Sequence, residues 1–121
     1  MSDLRPKGYR IEINGVERNL LFTLNAIDAI QAEYDKNVLE VIDEAFDRKN
    51  LNRVKVLRKV MEVLLNDEAE REEFFHPGNG LKPVTEKEAG WLVDMFNIDD
   101  IEMAIVKAYA LSMPEPDEDP N

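Results

Sequence analysis

Residues Tyr9-Arg10-Ile11-Glu12-Ile13 alternate apolar and polar with a period of two, and Asn14-Gly15 follows directly. Both turn positions tolerate positive φ, so the pattern predicts a β-hairpin. The return strand runs from about Glu17 to Phe22. A two-residue loop sets Tyr9 opposite Leu20, and a four-residue loop sets it opposite Phe22. Either register gathers Tyr9, Ile11 and Ile13 on one face with Leu20 and Phe22. A lone hairpin is marginal in water, so that face needs a helical cover.

After Phe22 the apolar period lengthens to that of a helix. Thr23 or Asn25 caps a first helix reaching about Asp35, with Leu24, Ile27, Ile30 and Tyr34 inward and Ala26 beside them. Asn37, with Glu40 three residues on, opens a second, which buries Val38, Leu39, Ile42 and Phe46. Arg48-Lys49-Asn50 ends it, with bases set against its C-terminal dipole. The helix from Leu51 to about Asn66 is the expected hub. Val54, Leu57, Val60, Met61, Leu64 and Leu65 cover roughly half its circumference, with Val56 and Val63 extending the arc. A surface helix needs an apolar stripe of only ~100°, so an arc this wide implies neighbours on two sides.

Residues 67–75 read as a short acidic helix, stopped by the breaker cluster His76-Pro77-Gly78-Asn79-Gly80 and the Leu81-Lys82-Pro83 that follows. Thr85-Glu86-Lys87-Glu88 is a full capping box for a helix to about 96, with Trp91, Leu92, Met95 and Phe96 inward. Gly90 inside it costs about 1 kcal/mol relative to alanine, which marks close packing. Asp99 or Asp100 lies in the first turn of a last helix whose stripe is Ile101, Ile105, Ala108 and Leu111. The expected fold is α+β and mostly helical: an N-terminal β-hairpin packed on a bundle of five or six short helices. Residues 1–8 read as a disordered N-terminus, 9–113 as a single domain (hairpin 9–22, helices 24–113), and 114–121 as a disordered acidic tail.

Composition narrows the chemistry. The 121 residues suffice for one domain with a real core. There is no cysteine, which removes disulfides, thiolate nucleophiles and cysteine-based zinc sites, in keeping with a reducing cytoplasm. The start MSDLRPKG has no apolar run of the signal-peptide kind, and nothing approaches the ~20 apolar residues of a membrane span. The single histidine, His76, stands beside a proline in a turn and reads as structural or solvated. Gly78 and Gly80 lack the strand, helix and lysine of a phosphate loop. The tail acids lack the glycine turn and spaced ligands of an EF-hand. Most of the carboxylates fall on the polar side of helical patterns, whereas a catalytic pair needs one held in an apolar pocket. No catalytic, cofactor or metal site is expected, and an enzyme is not.

The net charge of −11 repels nucleic-acid backbones and anionic lipid, so neither is an expected partner. Six bases and no acid lie between Arg48 and Lys59, while 67–73 carries five acids against Arg71 alone. No aromatic interleaves the basic block to stack bases. The block reads either as a solvated face or as one side of a bipolar surface that meets the acidic run, an acidic partner or another copy of the chain. Val56 and Val63 read either as core or as the edge of a partner groove. The candidate partner-binding residues are therefore Val56, Val63, Arg53, Lys55 and Lys59.

The hairpin YRIEINGVERNLLF running into TLNAIDAIQAEYD, followed by a helical body and an acidic end, resembles the tail assembly chaperones of long-tailed bacteriophages and prophages. Phe22, Thr23, Ala26 and Ile27 match the family's Phe-Thr-x-x-Ala-Ile/Leu helix entry. The resemblance covers residues 9–113. It implies a non-enzymatic assembly factor that binds the tape-measure protein, keeps it soluble and helps recruit tail-tube subunits. It also implies the cytoplasm of the bacterial host as the place of action and absence from the mature virion. Two other readings stand beside it: an unrelated acidic protein-binding adaptor or DNA-mimic inhibitor, which needs a continuous carboxylate array, and a small enzyme, which needs converging polar groups in a pocket.

Overall fold

A computed structural model describes residues 7–114. The chain runs β1 (Tyr9–Ile13), β2 (Val16–Leu20), α1 (Leu24–Tyr34), α2 (Val38–Phe46), α3 (Arg53–Phe75), α4 (Glu86–Leu92) and α5 (Ile98–Ser112). The fold is α+β and mostly helical, with the N-terminal hairpin packed on the helices. Of the termini expected to be disordered, 1–8 and 114–121, residues 1–6 and 115–121 lie outside the described residues.

β1 and β2 pair antiparallel with Tyr9 opposite Leu20 and Ile13 opposite Val16, so the two-residue loop is the one formed. Asn14 (φ 50°) and Gly15 (φ 79°) supply the positive φ values such a turn requires. Ile13 and Leu20 are buried, and Tyr9 and Ile11 pack against the core from its edge. α5 lies against this hairpin, and Phe22 meets Tyr109 edge-on at 5.5 Å.

α3 is the hub. It packs against α1, α2, α4 and β2, and its Leu57, Val60, Met61, Leu64 and Leu65 are fully buried. It differs from the expected helix in length. The hub and the acidic segment form one continuous helix of 23 residues, about 34 Å long, so the described residues hold five helices. No glycine or proline interrupts 53–75, and the acids that resembled a new helix start are committed elsewhere. Asn66 clamps the backbone of Val84 in both directions, at 2.9 and 2.6 Å. Asp67 accepts from Thr23 Oγ1 at 2.9 Å and from Arg71 at 2.7 Å.

Glu68 is the main departure from a solvated acidic face. It is 3 % exposed and faces Arg18, 7 % exposed, with Arg18 Nε donating to Glu68 Oε1 at 2.6 Å. Glu68 Oε2 accepts from the Asn19 amide at 2.8 Å, while Arg18 Nη2 and Arg71 Nη2 donate to the carbonyls of Leu65 and Asn19, both at 3.2 Å. In this hairpin register the N–H and C=O of Asn19 point away from β1, so α3 satisfies the outer edge of β2 with side chains.

The caps follow the sequence closely. Thr23 caps α1, Asn37 caps α2, and Thr85 with Glu88 forms the full capping box of α4. A Cβ on Gly90 would sit 2.8 Å from Arg58 Cδ, the close packing expected there. Arg48 and Lys49 do not end α2, which stops at Phe46; Arg48 instead reaches Asp99 of α5 at 3.1 Å.

Several expected core residues are outside. Leu24, the first residue of α1, is 84 % exposed, and Leu39, Val54 and Leu111 are about half exposed. The largest difference lies between α4 and α5. α4 ends at Leu92, because Asp94 and Asn97 form a polar turn of their own. Asp94 Oδ1 accepts from the amides of Phe96 and Asn97, Asn97 Oδ1 accepts from the Asp94 amide, and Asn97 Nδ2 donates to Leu92 O. Such local side-chain bonds compete with helical ones. The result turns Trp91, Met95 and Phe96 outward, while Leu92 stays packed against the core.

Candidate protein-binding surface

α4 runs antiparallel along α3: Val84 sits at Asn66, and Gly90 sits at Arg58. α5 starts beside the opening turns of α3, where Arg53 Nη2 lies 2.9 Å from Glu102 Oε2. Residues 91–96 and the α3 entry, Leu51 and Val54, are thereby placed at the same end of the molecule. At that end Trp91 is 70 %, Met95 81 % and Phe96 97 % exposed, and Leu51 is fully exposed. Scattered exposed apolar residues are ordinary, but three large ones within six residues, including two aromatics, have the composition of an interface core.

A second exposed apolar group marks the far end of α3, where Phe74 and Phe75 meet edge-on at 5.0 Å near Leu24 of α1. From Val54 to Phe74 the helix rises about 30 Å. The hub therefore holds two apolar ends apart on a rigid rod.

The residues singled out from the sequence are distributed differently. Val56 is 5 % exposed and belongs to the core, so it is no part of a partner groove. Val63 is half-buried and lines, with Lys59, a shallow groove of about 330 Å³ between α1 and α3. Arg53 is largely buried against Glu102, and two of its nitrogens lack an aligned hydrogen bond, so that contact is coulombic. Lys59 pairs with Glu62 at 2.8 Å and Glu33 at 3.6 Å, and Arg58 lies 3.5 Å from Glu86. Lys55 alone of the five stands exposed. The basic block thus meets acids of α1, α3, α4 and α5, not the run 67–73. That run is not one outward carboxylate array either, since Asp67 and Glu68 point inward.

An aspartate at Val56 would place a charge inside the core. Val56→Asp is expected to lower stability well beyond the ~1 kcal/mol of an average substitution, whereas Lys55→Glu stays within about 0.5 kcal/mol. Urea unfolding of the two variants checks this, and equal midpoints would contradict the burial.

The Lys59 ammonium is held above its ordinary value by its hydrogen bond to Glu62, and burial raises the Tyr34 phenol. Both groups bind their protons more tightly folded than unfolded. Their contribution is complete below the ordinary values near 10 and is lost as pH rises through the higher folded values. Stability is expected to fall above about pH 10, more steeply than in a Lys59→Met, Tyr34→Phe variant. Parallel curves for the two proteins would contradict the assignment.

His76 is exposed, with Nδ1 2.7 Å from Glu72 Oε2 at the end of α3. Among the described residues no group of three or more His, Cys, Asp or Glu side chains is placed to hold a metal ion, and no helix is long and apolar enough to cross a membrane. Comparison with protein-family models, curated proteins and solved structures found no match in any of the three.

The exposed trio was hidden from pattern reading because Trp91, Met95 and Phe96 fit a helical stripe. The signal for their exposure is Asp94 and Asn97, two turn-forming side chains three residues apart, which break the stripe.

Proposed function

We propose that this chain is a non-enzymatic protein-binding protein that engages its partner through the apolar end formed by Trp91, Met95 and Phe96. The observation that carries this reading is the exposure of three large apolar side chains, two of them aromatic, within six residues at the junction of α4 and α5. Such a surface suits an amphipathic helix laid against it, anchored by aromatic residues.

More particularly, the chain is a tail assembly chaperone of a long-tailed bacteriophage or prophage. It binds the long helical tape-measure protein, keeps it soluble and helps recruit tail-tube subunits. It acts in the cytoplasm of the bacterial host and is absent from the mature virion. The hairpin-to-helix entry at Phe22, Thr23, Ala26 and Ile27 supports this reading, and an acidic surface of net charge −11 suits a protein that keeps an aggregation-prone helical partner in solution.

The test is co-expression with the long coiled-coil protein encoded nearest downstream, followed by size-exclusion chromatography. A partner that is insoluble alone and elutes with this chain supports the proposal. A partner that is soluble alone and elutes apart overturns it.

A further inference from the structure

The hairpin has two outer edges, and they are treated differently. On β2 the amide and carbonyl of Asn19 are taken by Glu68 and Arg71 of α3. On β1 the same register turns the N–H and C=O of Arg10 and Glu12 away from β2, and the sheet ends there. Among the described residues none bonds to those backbone groups.

An unpaired edge is a template for a further strand, and proteins usually blunt it with a proline, a bulge or an inward-pointing charge. β1 has none of these. Tyr9–Ile13 contains no proline, its pairing with β2 runs without a bulge, and its two charged side chains, Arg10 and Glu12, are exposed on the face away from the core. Beside the edge lies a groove of about 340 Å³ between β1 and α5, walled by Tyr9, Ile11, Glu12, Ile101, Met103 and Lys107. Lys107 Nζ stands 5.3 Å from the centre of the Tyr9 ring, and Met103 is 55 % exposed. The edge therefore has open space and apolar surface next to it.

The strand is its own complement. Paired antiparallel about Ile11 with another β1, it sets Arg10 opposite Glu12 and Glu12 opposite Arg10, each pair exchanging both backbone bonds. Ile11 meets Ile11 on the core side, and Tyr9 meets Ile13. Sliding the pairing by two residues opposes Arg10 to Arg10 or Glu12 to Glu12, and like charges directly opposite are destabilising. One register is thereby selected. The paired segment is itself neutral, which favours contact at this point between chains that each carry −11.

We propose that β1 pairs with β1 of a second copy, joining two hairpins into one sheet in the order β2–β1–β1–β2 across a twofold axis at Ile11. The groove beside β1 receives Ile11 of the second copy, and the Arg10–Glu12 pairs lie over the solvent face. The dimer forms whatever occupies the Trp91–Phe96 end.

Charge exchange in the full-length chain tests this. Sedimentation equilibrium from low micromolar to millimolar concentration is expected to show monomer passing to dimer for the unaltered chain. Arg10→Glu and Glu12→Arg, both at exposed positions, each oppose like charges on both sides of the axis, and each is expected to weaken the dimer at least about tenfold. An equimolar mixture of the two variants regains the dimer, as does the variant carrying both changes, because opposite charges face each other again. The double variant carries the test where a single change disturbs the hairpin. In the dimers the Arg10 and Glu12 amides exchange slowly with deuterium. An unaltered chain that stays monomeric throughout overturns the proposal, as does a dimer that the single changes leave intact or whose loss neither the mixture nor the double variant restores. Protection of Arg10 and Glu12 that requires the co-purified partner also overturns it, and assigns the edge to a strand of that protein.

Discussion

Glu68→Ala is expected to cost about 3–5 kcal/mol, the range for breaking a buried ion pair by removing one partner. The substitution leaves the Arg18 guanidinium, 7 % exposed, without its carboxylate and strips the Asn19 amide of its acceptor. Set against the 5–15 kcal/mol typical of a whole domain, that loss brings the protein near its unfolding threshold. The melting temperature should fall by roughly 10–20 °C. Replacing both partners with apolar residues, Arg18→Met with Glu68→Leu, strands no charge and should cost less than the sum of the two single changes. A thermal-melt double-mutant cycle measures this directly. A loss below about 1 kcal/mol for Glu68→Ala would mean that the pair behaves as a surface contact, contrary to its burial.

The second large effect is on binding. Trp91→Ala and Phe96→Ala are each expected to weaken partner binding about 30-fold or more, equivalent to about 2 kcal/mol for an aromatic hot spot. Phe96 is almost fully exposed, so its truncation should leave stability within about 0.5 kcal/mol. Calorimetric titration against the co-expressed partner separates the two quantities. Unchanged affinity in both variants would remove this end of the molecule from the interface. A loss of affinity matched by a loss of stability would identify the trio as structural.

The contrast between these predictions shows what the sequence reveals. The hairpin and its turn, the caps at Thr23, Asn37 and Thr85, the tight spot at Gly90 and the central position of residues 53–65 are all local signals. Each depends on a few neighbouring residues, and each appears in the fold. Glu68 was unreadable because its partner, Arg18, is fifty residues away, and nothing nearby distinguishes it from Glu70 or Glu73 on the same acidic run. Val56 is one edge of an apolar arc, and which edge is covered depends on α2, α4 and the hairpin together. The exposed trio failed for the opposite reason. A helical stripe continues through Trp91 to Phe96, but the short-range bonds of Asp94 and Asn97 stop the helix first. The basic block was legible as charge and not as pairing, since Asp99, Glu102, Glu86 and Glu33 belong to other helices. The candidate binding surface was thus less legible than the fold, because it is defined by what tertiary packing leaves uncovered.

Backbone hydrogen exchange of the chain, with and without its co-purified partner, tests the central claim most directly. The account predicts slowed exchange at residues 91–96 and at the α3 entry around 51–54, with β1, β2 and the Arg18–Glu68 junction unchanged. Protection confined to the hairpin, to the α1–α3 groove at Val63, or absent everywhere would contradict it.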